Sequence, residues 1–374
     1  SNTMFHYATR LEKLGFHGNF PTREDRLFEI DRKKAKDFVK KYYPHLKVAS
    51  NEKFYSIKKA ETFLQASSRQ WVLKSQTDLV ATFVPHTENI ALARKQIIER
   101  LHVYKESYEN LGFLLEEKIP HIIEVTPEKL YYNGNPLGMT IMFENKHIGS
   151  GNMSYQVGCA GDIAFPVSME SKIHDICFPP IIDEMAKAHK GLFIWDASLL
   201  INSENGDIYF GEFCSNRLGF NSFLTTLEQV SSVHAFFEDV VAGKNPFTLG
   251  TIAASLMLFN FLQDPKTNKV LGNVAMHFPE EIEKHIWLYD IHKNENNQTR
   301  YTTGYDMFLG VVTASEKTLH ASIDSLYQYV EQFDMNDVYY RPKFDFISKE
   351  YSTSLLNRFD YCLKQKLFPM PFLL

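Results

Sequence analysis

The chain has 374 residues, of which 44% are hydrophobic, 14% aromatic and 23% charged, with a formal net charge of −5. That length predicts two or three domains with full cores, and the composition excludes a disordered chain. Lysine and arginine are spread along an acidic sequence, which argues against a protein built mainly to coat nucleic acid, and no apolar run reaches the ~18 residues of a membrane span.

The first thirty residues are mixed, with turn signals at Gly15, Gly18 and Pro21. A helix is predicted from Ile30 through DRKKAKDFVKKYY, with Asp31 as its cap and Pro44 beyond its end. A short strand over Leu46–Ala49 and a helix over Ser56–Gln65 follow. Trp71–Lys74 reads as a buried strand ending in a lysine, with 79–84 as its hairpin partner. A long amphipathic helix is predicted over Thr87–Glu109, with Thr87 as its cap and its apolar face made by Ile90, Leu92, Ile97, Ile98, Leu101 and Tyr104. Phe113–Glu117 is a strand, and 122–148 makes two or three more around a turn at Asn133-Gly134. Gly149–Asp162 reads as a loop rich in Gly, Ser and Asn. A helix over Ile181–Lys190 leads to two apolar strands between Gly191 and Gly219, joined at Asn205-Gly206-Asp207. Residues 221–240 are helical, and Gly243 and Pro246 mark the clearest domain boundary. The C-terminal part opens with an apolar helix (Thr251–Leu262), then strands at 285–290 and 307–313, a helix over Lys317–Gln332, and a tail with one helix and an apolar end, Leu367–Leu374.

The chemistry-bearing residues sit on or just after apolar strands. Asp196 and Glu212 lie one on each strand of the 191–219 pair, and Asn216 and Arg217 follow the second. Two acids and an amide suit Mg²⁺ or Mn²⁺, which take hard oxygen ligands and share their sphere with nucleotide phosphates. Strand alternation puts Glu212, Cys214 and Asn216 on one face provided the strand stays extended, and Asn216 is the better oxygen ligand because cysteine is a poor one for magnesium. Four cysteines (Cys159, Cys177, Cys214, Cys362) are far apart with no C-x-x-C pair, which predicts free thiols in a reducing cytoplasm.

In chain order these pieces resemble the ATP-grasp ligases, and within them the phosphoribosylamine–glycine ligases (glycinamide ribonucleotide synthetases), over about residues 10–345. The resemblance rests on W-V-L-K at 71–74, E-E-K-I at 116–119, E-N-K-H at 144–147 before a Gly-rich loop, Asp196, the E-x-N-x-R-like end of the second strand, and T-G-Y-D at 303–306. It implies an α+β fold with two subdomains clamping ATP and a small C-terminal α/β domain. The implied division is 1–30 as remnant of or linker from an N-terminal domain, 31–245 as the ATP-grasp domain with 71–120 its nucleotide lid, 246–345 as the C-terminal domain, and 346–374 as a tail. Of that N-terminal domain, only a last piece is matched, at Leu11–Arg32. Lys74 is implied to meet the nucleotide phosphates. Glu116, Glu117, Lys118 and Ile119 are implied to form the adenine hinge, Glu124 to bind ribose, and Glu144 to line the same site. Lys146 and Arg217 are implied to offset charge on the transferred phosphoryl group.

The implied activity is ADP-forming ligation of a carboxylate, glycine or another amino acid, to an amine acceptor, phosphoribosylamine-like or a modified nucleotide. The implied partners are small molecules, with neither a membrane nor a nucleic-acid signal, and the protein is a monomer or homodimer. The substrate side departs from the family. The loop after Lys74 has no glycine, T-G-G-R is replaced by T-G-Y-D, and Phe220-Asn221-Ser222 stands in place of D-P-E after Gly219. A catalytically inactive relative that binds a nucleotide or a protein is therefore the alternative reading.

Overall fold

The computed structural model describes residues 7–369 apart from 8–9, 12, 17, 76–81, 86, 155, 217–219, 231, 248–249 and 297–298. Strands β1 (Asn51–Phe54), β2 (Trp71–Ser75) and β3 (Phe113–Glu117) are followed by the hairpin β4 (Ile122–Tyr132) and β5 (Asn135–His147), by β6 (Gln156–Val167), and by a second hairpin, β7 (Leu192–Asn202) and β8 (Ile208–Ser215). The C-terminal part adds β9 (Ile252–Asn260), β10 (Ala275–His277), β11 (Ile286–Leu288), β12 (Ile291–Lys293), β13 (Arg300–Thr302), β14 (Phe308–Glu316), β15 (Asp334–Met335) and β16 (Val338–Tyr339). Mixed helix and sheet in this order make an α+β fold.

Two units separate by contact. The first comprises Ser1–Leu14, Phe20–Ile123 and Ala197–Asn216. Its three-stranded antiparallel sheet has the order β1-β3-β2. The helices Ile57–Ala66 and Ile90–Val103 pack on it through Leu64, Ile97 and Leu101, which meet Trp71, Leu73, Phe113 and Leu115. A side-chain cap starts Arg32–Tyr42 at Asp31, as the sequence predicts, and Ser56 caps Ile57–Ala66.

The second unit comprises Gly15–Asn19, Glu124–Asp196 and Arg217–Leu374. Its main sheet runs β11-β14-β9-β6-β5-β4, antiparallel throughout, and β10, β12, β13 and β15 form a smaller one. Helices Phe220–Glu228 and Val233–Val241 supply Leu224, Leu227, Phe236 and Val240 to a core with Leu130, Ile194 and Val311. Strand β7 starts in this unit and ends in the other.

Several elements differ from the predicted ones. The stretch 251–262, expected as a helix, is strand β9, paired on one edge with β14 and on the other with β6. Its run IAASLMLFN is apolar on both faces because the strand is buried on both, and such a run carries no period by which to tell strand from helix. The chain-order boundary near 246 is not where the units divide, since β9 and β14 continue the sheet of β4–β6. The Gly-rich stretch 149–162 is a loop only as far as 154, and Gln156 onward is β6. The long helix over 87–109 breaks at Tyr104 into Ile90–Val103 and Lys105–Leu111; Asn89 rather than Thr87 caps it, and Ile90, Leu92 and Tyr104 are exposed. The helix expected over 221–240 is two, Phe220–Glu228 and Val233–Val241. The strand expected at 46–49 is displaced to β1, leaving Lys47 in an isolated parallel bridge with Tyr209. Leu73 pairs with Phe83 as the predicted hairpin requires, but 79–81 lie outside the described residues, as do 370–374 of the apolar end. Among the described residues no helix is long and apolar enough to cross a membrane.

Candidate functional site

In the first unit two lysines meet on one carboxylate. Val72 of β2 is the direct cross-strand partner of Glu116 on β3, so Lys74, two residues further on, reaches Glu116 diagonally on the same face. Lys74 Nζ lies 2.6 Å from Glu116 Oε1. Lys36, from helix Arg32–Tyr42, donates to Oε2 of the same carboxylate. All three side chains are buried. Burial pushes the Glu116 carboxyl up, but the ammonium groups of Lys74 and Lys36 together outweigh it and hold the group below its ordinary value. Burial also draws Lys36 below the usual lysine range, against the pull of Glu116. One turn before Lys36, Arg32 donates from Nε to the Ser75 carbonyl at 3.2 Å and comes within 3.7 Å of Glu212. The cluster carries more positive than negative charge, which suits an anionic ligand.

The sequence reading found Lys74 and Glu116 and missed Lys36 and Arg32. A signal for Lys36 was present, because it falls at helical spacing from the buried Val39 and Tyr43, on the apolar stripe where a lysine is out of place. The rest of the expected hinge turns elsewhere. Glu117 pairs with Arg69 at 2.7 Å, and Lys118 Nζ lies 3.0 Å from Glu88. The Lys118 backbone N–H, expected at the adenine edge, donates to the Gln70 carbonyl within the sheet. Ile119 is half-buried just past the end of β3.

The proposed metal strand departs from its expected geometry at one residue. Strand β8 ends at Ser215, and Asn216 is left-handed with φ 53°, so only Glu212 and Cys214 share the extended face. Glu212 is exposed; Asn216 is fully buried, and its Nδ2 donates to Asp25 Oδ2 at 3.0 Å. Asp25 in turn closes a capping box with Thr22 at the start of helix Arg23–Ile30. A carboxylate only accepts, so Asp25 fixes which end of the Asn216 amide is nitrogen and turns the carbonyl oxygen the other way. Asp196 is buried in the second unit near Cys177, whose thiol is pushed well up by burial and then by Asp196. Asp196, Glu212 and Asn216 each offer oxygen, the donor type a hard divalent ion takes. No group of three or more His, Cys, Asp and Glu side chains placed to hold a metal occurs among the described residues. Arg217 lies outside them.

In the second unit Glu124, Glu144 and Lys146 come together. Lys146 Nζ is 2.6 Å from Glu124 and 4.0 Å from Glu144. Two further acids that the sequence reading passed over lie deeper on the same sheet. Asp162 of β6 is the cross-strand partner of Glu144, and Glu128 of β4 is the partner of Thr140. Both are buried. Burial pushes Glu128 up to about 8, with help from the negative charges of Glu144 and Asp162. Burial also raises Asp162, against hydrogen bonds from Ser255, Thr225 at 2.8 Å and the Cys159 thiol at 3.5 Å.

The T-G-Y-D turn is held by an acid of this chain. The Asp290 carboxylate accepts from the backbone N–H of Tyr305 at 2.9 Å and of Asp306 at 2.8 Å, and from the Thr303 hydroxyl.

No family model matches the sequence, and no curated protein matches it. Solved structures do match. The chain is similar to phosphoribosylamine–glycine ligase from Thermotoga maritima, with a TM-score of 0.62 and 16% identity, over 86% of this chain and 80% of that one. It is similar to biotin carboxylase from Campylobacter jejuni in its β-γ-ATP complex, at 0.60 and 13%, over 96% and 77%. The biotin carboxylase domain of Hydrogenobacter thermophilus 2-oxoglutarate carboxylase, solved with magnesium ADP and bicarbonate, matches at 0.59 and 13%, over 98% and 78%. At these identities the likeness shows the fold: the chain folds like the phosphoribosylamine–glycine ligase and biotin carboxylase structures it matches.

Proposed function

We propose that this protein is an ATP-dependent, ADP-forming carboxylate–amine ligase that works through an acyl phosphate. The observation that carries the reading is the buried Lys36–Glu116–Lys74 cluster, a surplus of positive charge built into an ATP-grasp fold. Two of the similar structures hold ADP with magnesium or an ATP ligand, and a third is named for joining glycine to phosphoribosylamine.

In this reading Lys74 meets the nucleotide phosphates, Glu116, Glu117, Lys118 and Ile119 are assigned to the adenine, Glu124 to the ribose, and Glu144 to nucleotide binding. A carboxylate oxygen of glycine or another amino acid attacks the γ-phosphorus and ADP leaves. The amine then attacks the acyl carbon, loses a proton, and inorganic phosphate departs. Lys146 and Arg217 offset the negative charge that gathers on the transferred group. Asp196, Glu212 and Asn216 would hold Mg²⁺ or Mn²⁺, which would neutralise phosphate charge there. The acceptor is an amine of the phosphoribosylamine or modified-nucleotide class, and the protein acts in the cytoplasm as a monomer or homodimer.

The test is thermal unfolding with ATP and Mg²⁺. Binding at a hundred times the dissociation constant adds about 2.7 kcal/mol, a clear upward shift in Tm. Glu212→Ala removes the magnesium-dependent part of that shift. No shift in the wild type with either ATP or ATP–Mg²⁺ overturns the reading. A second reading, a nucleotide-binding relative without turnover, draws on Asn216, which leaves the strand and is tied to Asp25. ADP release across a panel of amino acids and amines separates the two, since the binder shifts with ATP and releases no ADP.

A further inference from the structure

We infer that the C-terminal segment from Arg341 to Arg358 is a positioning clamp for the end of β5 and the loop after it, and so for the side chain of Lys146. The inference rests on the proposed function only in reading Lys146 as a site residue.

The clamp is made of residues nearly two hundred positions away in sequence. Arg341 is fully buried, with Nε 2.9 Å from Asp345 Oδ2. Its other nitrogens donate to the His147 carbonyl at 2.6 Å and to Asn152 Oδ1 at 2.9 Å. Asp345 accepts on Oδ1 from the Ser150 hydroxyl at 3.0 Å and from the Gly151 N–H at 3.3 Å. Arg358 holds the strand one step earlier, donating to the Glu144 carbonyl at 2.8 Å and to Asn145 Oδ1 at 2.7 Å. Its contacts therefore bracket the backbone just before Lys146, and those of Arg341 the backbone just after it.

This loop is one that needs holding. Gly151, Asn152 and Ser154 all have left-handed backbone, at φ 66°, 58° and 70°; glycine and asparagine tolerate that region, whereas for Ser154 it is unfavourable. Within the loop the Gly149 N–H donates to the Met153 carbonyl, the Met153 N–H donates to the Ser150 carbonyl, and His147 Nδ1 meets the Ser154 carbonyl. The clamp adds an ion pair whose members face away from water. Asp345 and Arg341 are both essentially without exposure, and burial draws Arg358 down to about 10. Fully buried guanidinium groups that bond to carbonyls of one strand act on the position of that strand, because a planar fork of donors fixes direction as well as distance. Gly161 on the neighbouring strand belongs to the same device. A Cβ there would come 2.5 Å from the ring of Phe346, so glycine lets the clamp helix Phe344–Ile347 close onto the sheet.

The experiment uses the full chain and two readouts that need no substrate. The first is hydrogen exchange of the 147–154 amides, with the β9 amides as an internal reference. The second is the rate of acetic anhydride labelling at Lys146, read by mass spectrometry against the exposed Lys33. Asp345→Asn is expected to speed exchange in 147–154 by about tenfold or more and to raise labelling at Lys146 several-fold, with β9 and Lys33 unchanged. Because Asp345→Asn alters a buried pair and can lower overall stability, Ser150→Ala, at an exposed loop position, is measured beside it. It should show the same pattern at smaller amplitude. Equal exchange and equal Lys146 labelling in wild type and Ser150→Ala, or loosening that spreads equally to β9, overturns the clamp. A failure of ATP–Mg²⁺ to stabilise the wild type would strike the proposed function and leave these two readouts standing.

Discussion

Each unit buries a knot of ionisable groups, and the two resolve it in opposite ways. In the first, Lys36 and Lys74 both touch Glu116, and the carboxylate is held charged with its pKa below the ordinary value. In the second, the described partners of Glu128 and Asp162 are hydroxyls and a thiol, and both acids are pushed up toward their protonated forms. Burial is comparable, so burial alone does not decide whether an acid stays charged. An ammonium in contact outweighs desolvation; a neutral hydroxyl bond does not. The paired knot thus keeps its charge inside the protein, and the unpaired one holds on to its protons.

The most severe way to break this contrast is Glu116→Gln. It keeps the shape and leaves two buried ammonium groups without a counter-charge, which should cost about 3–5 kcal/mol in urea unfolding at neutral pH. A cost below about 1 kcal/mol would mean that water reaches the lysines and the cluster is not sealed. The pH dependence has a definite sign. Glu116 has a folded pKa below its ordinary 4.5, so its contribution is present above that value and is lost as pH falls through the lowered one. The variant should lack that acid limb.

The second substitution tests the opposite knot. Glu128 is raised from 4.5 to about 8, so the folded protein holds a proton that the unfolded chain has released. Its contribution is complete below pH 4.5 and is lost as pH rises toward 8, at up to about 1.4 kcal/mol per pH unit. Glu128→Gln imitates the protonated acid, so its stability should be level across that window and exceed wild type at the alkaline end. A wild-type profile that is already level would place a counter-charge beside Glu128 and remove the contrast between the units.

Much of this was legible in the sequence, and the parts that were not share a physical cause. The strands that carry Lys74, Glu116, Lys146, Asp196 and Glu212 announce themselves through apolar runs that each carry a charge, and the cap Asp31 is a local signal. Strand β9 was misread because burial on both faces erases periodicity. Lys36 was missed because a lysine in a basic helix reads as solvated unless its phase with Val39 is checked. Glu128 and Asp162 were missed because only the cross-strand register places them beside Thr140 and Glu144. The clamp of Arg341 and Arg358 lay beyond reach, since nothing local ties 341–358 to 144–152.

The smallest expected effect on stability belongs to Glu212, and it is the sharpest control on the comparison. Its carboxylate is exposed and 3.7 Å from Arg32, a separation at which water leaves an ion pair little worth. Glu212→Gln should therefore change unfolding free energy by less than about 0.5 kcal/mol, well under the cost of Glu116→Gln. The same substitution should abolish the magnesium-dependent part of the ATP shift, because an amide is a weaker ligand for a hard cation than a carboxylate. The two acids differ in role: one is held inside by lysines, the other is open to solvent. Should Glu212→Gln destabilise the protein as much as Glu116→Gln, the Glu212 carboxylate would be part of the scaffold, and its proposed place at the metal would fall with that result.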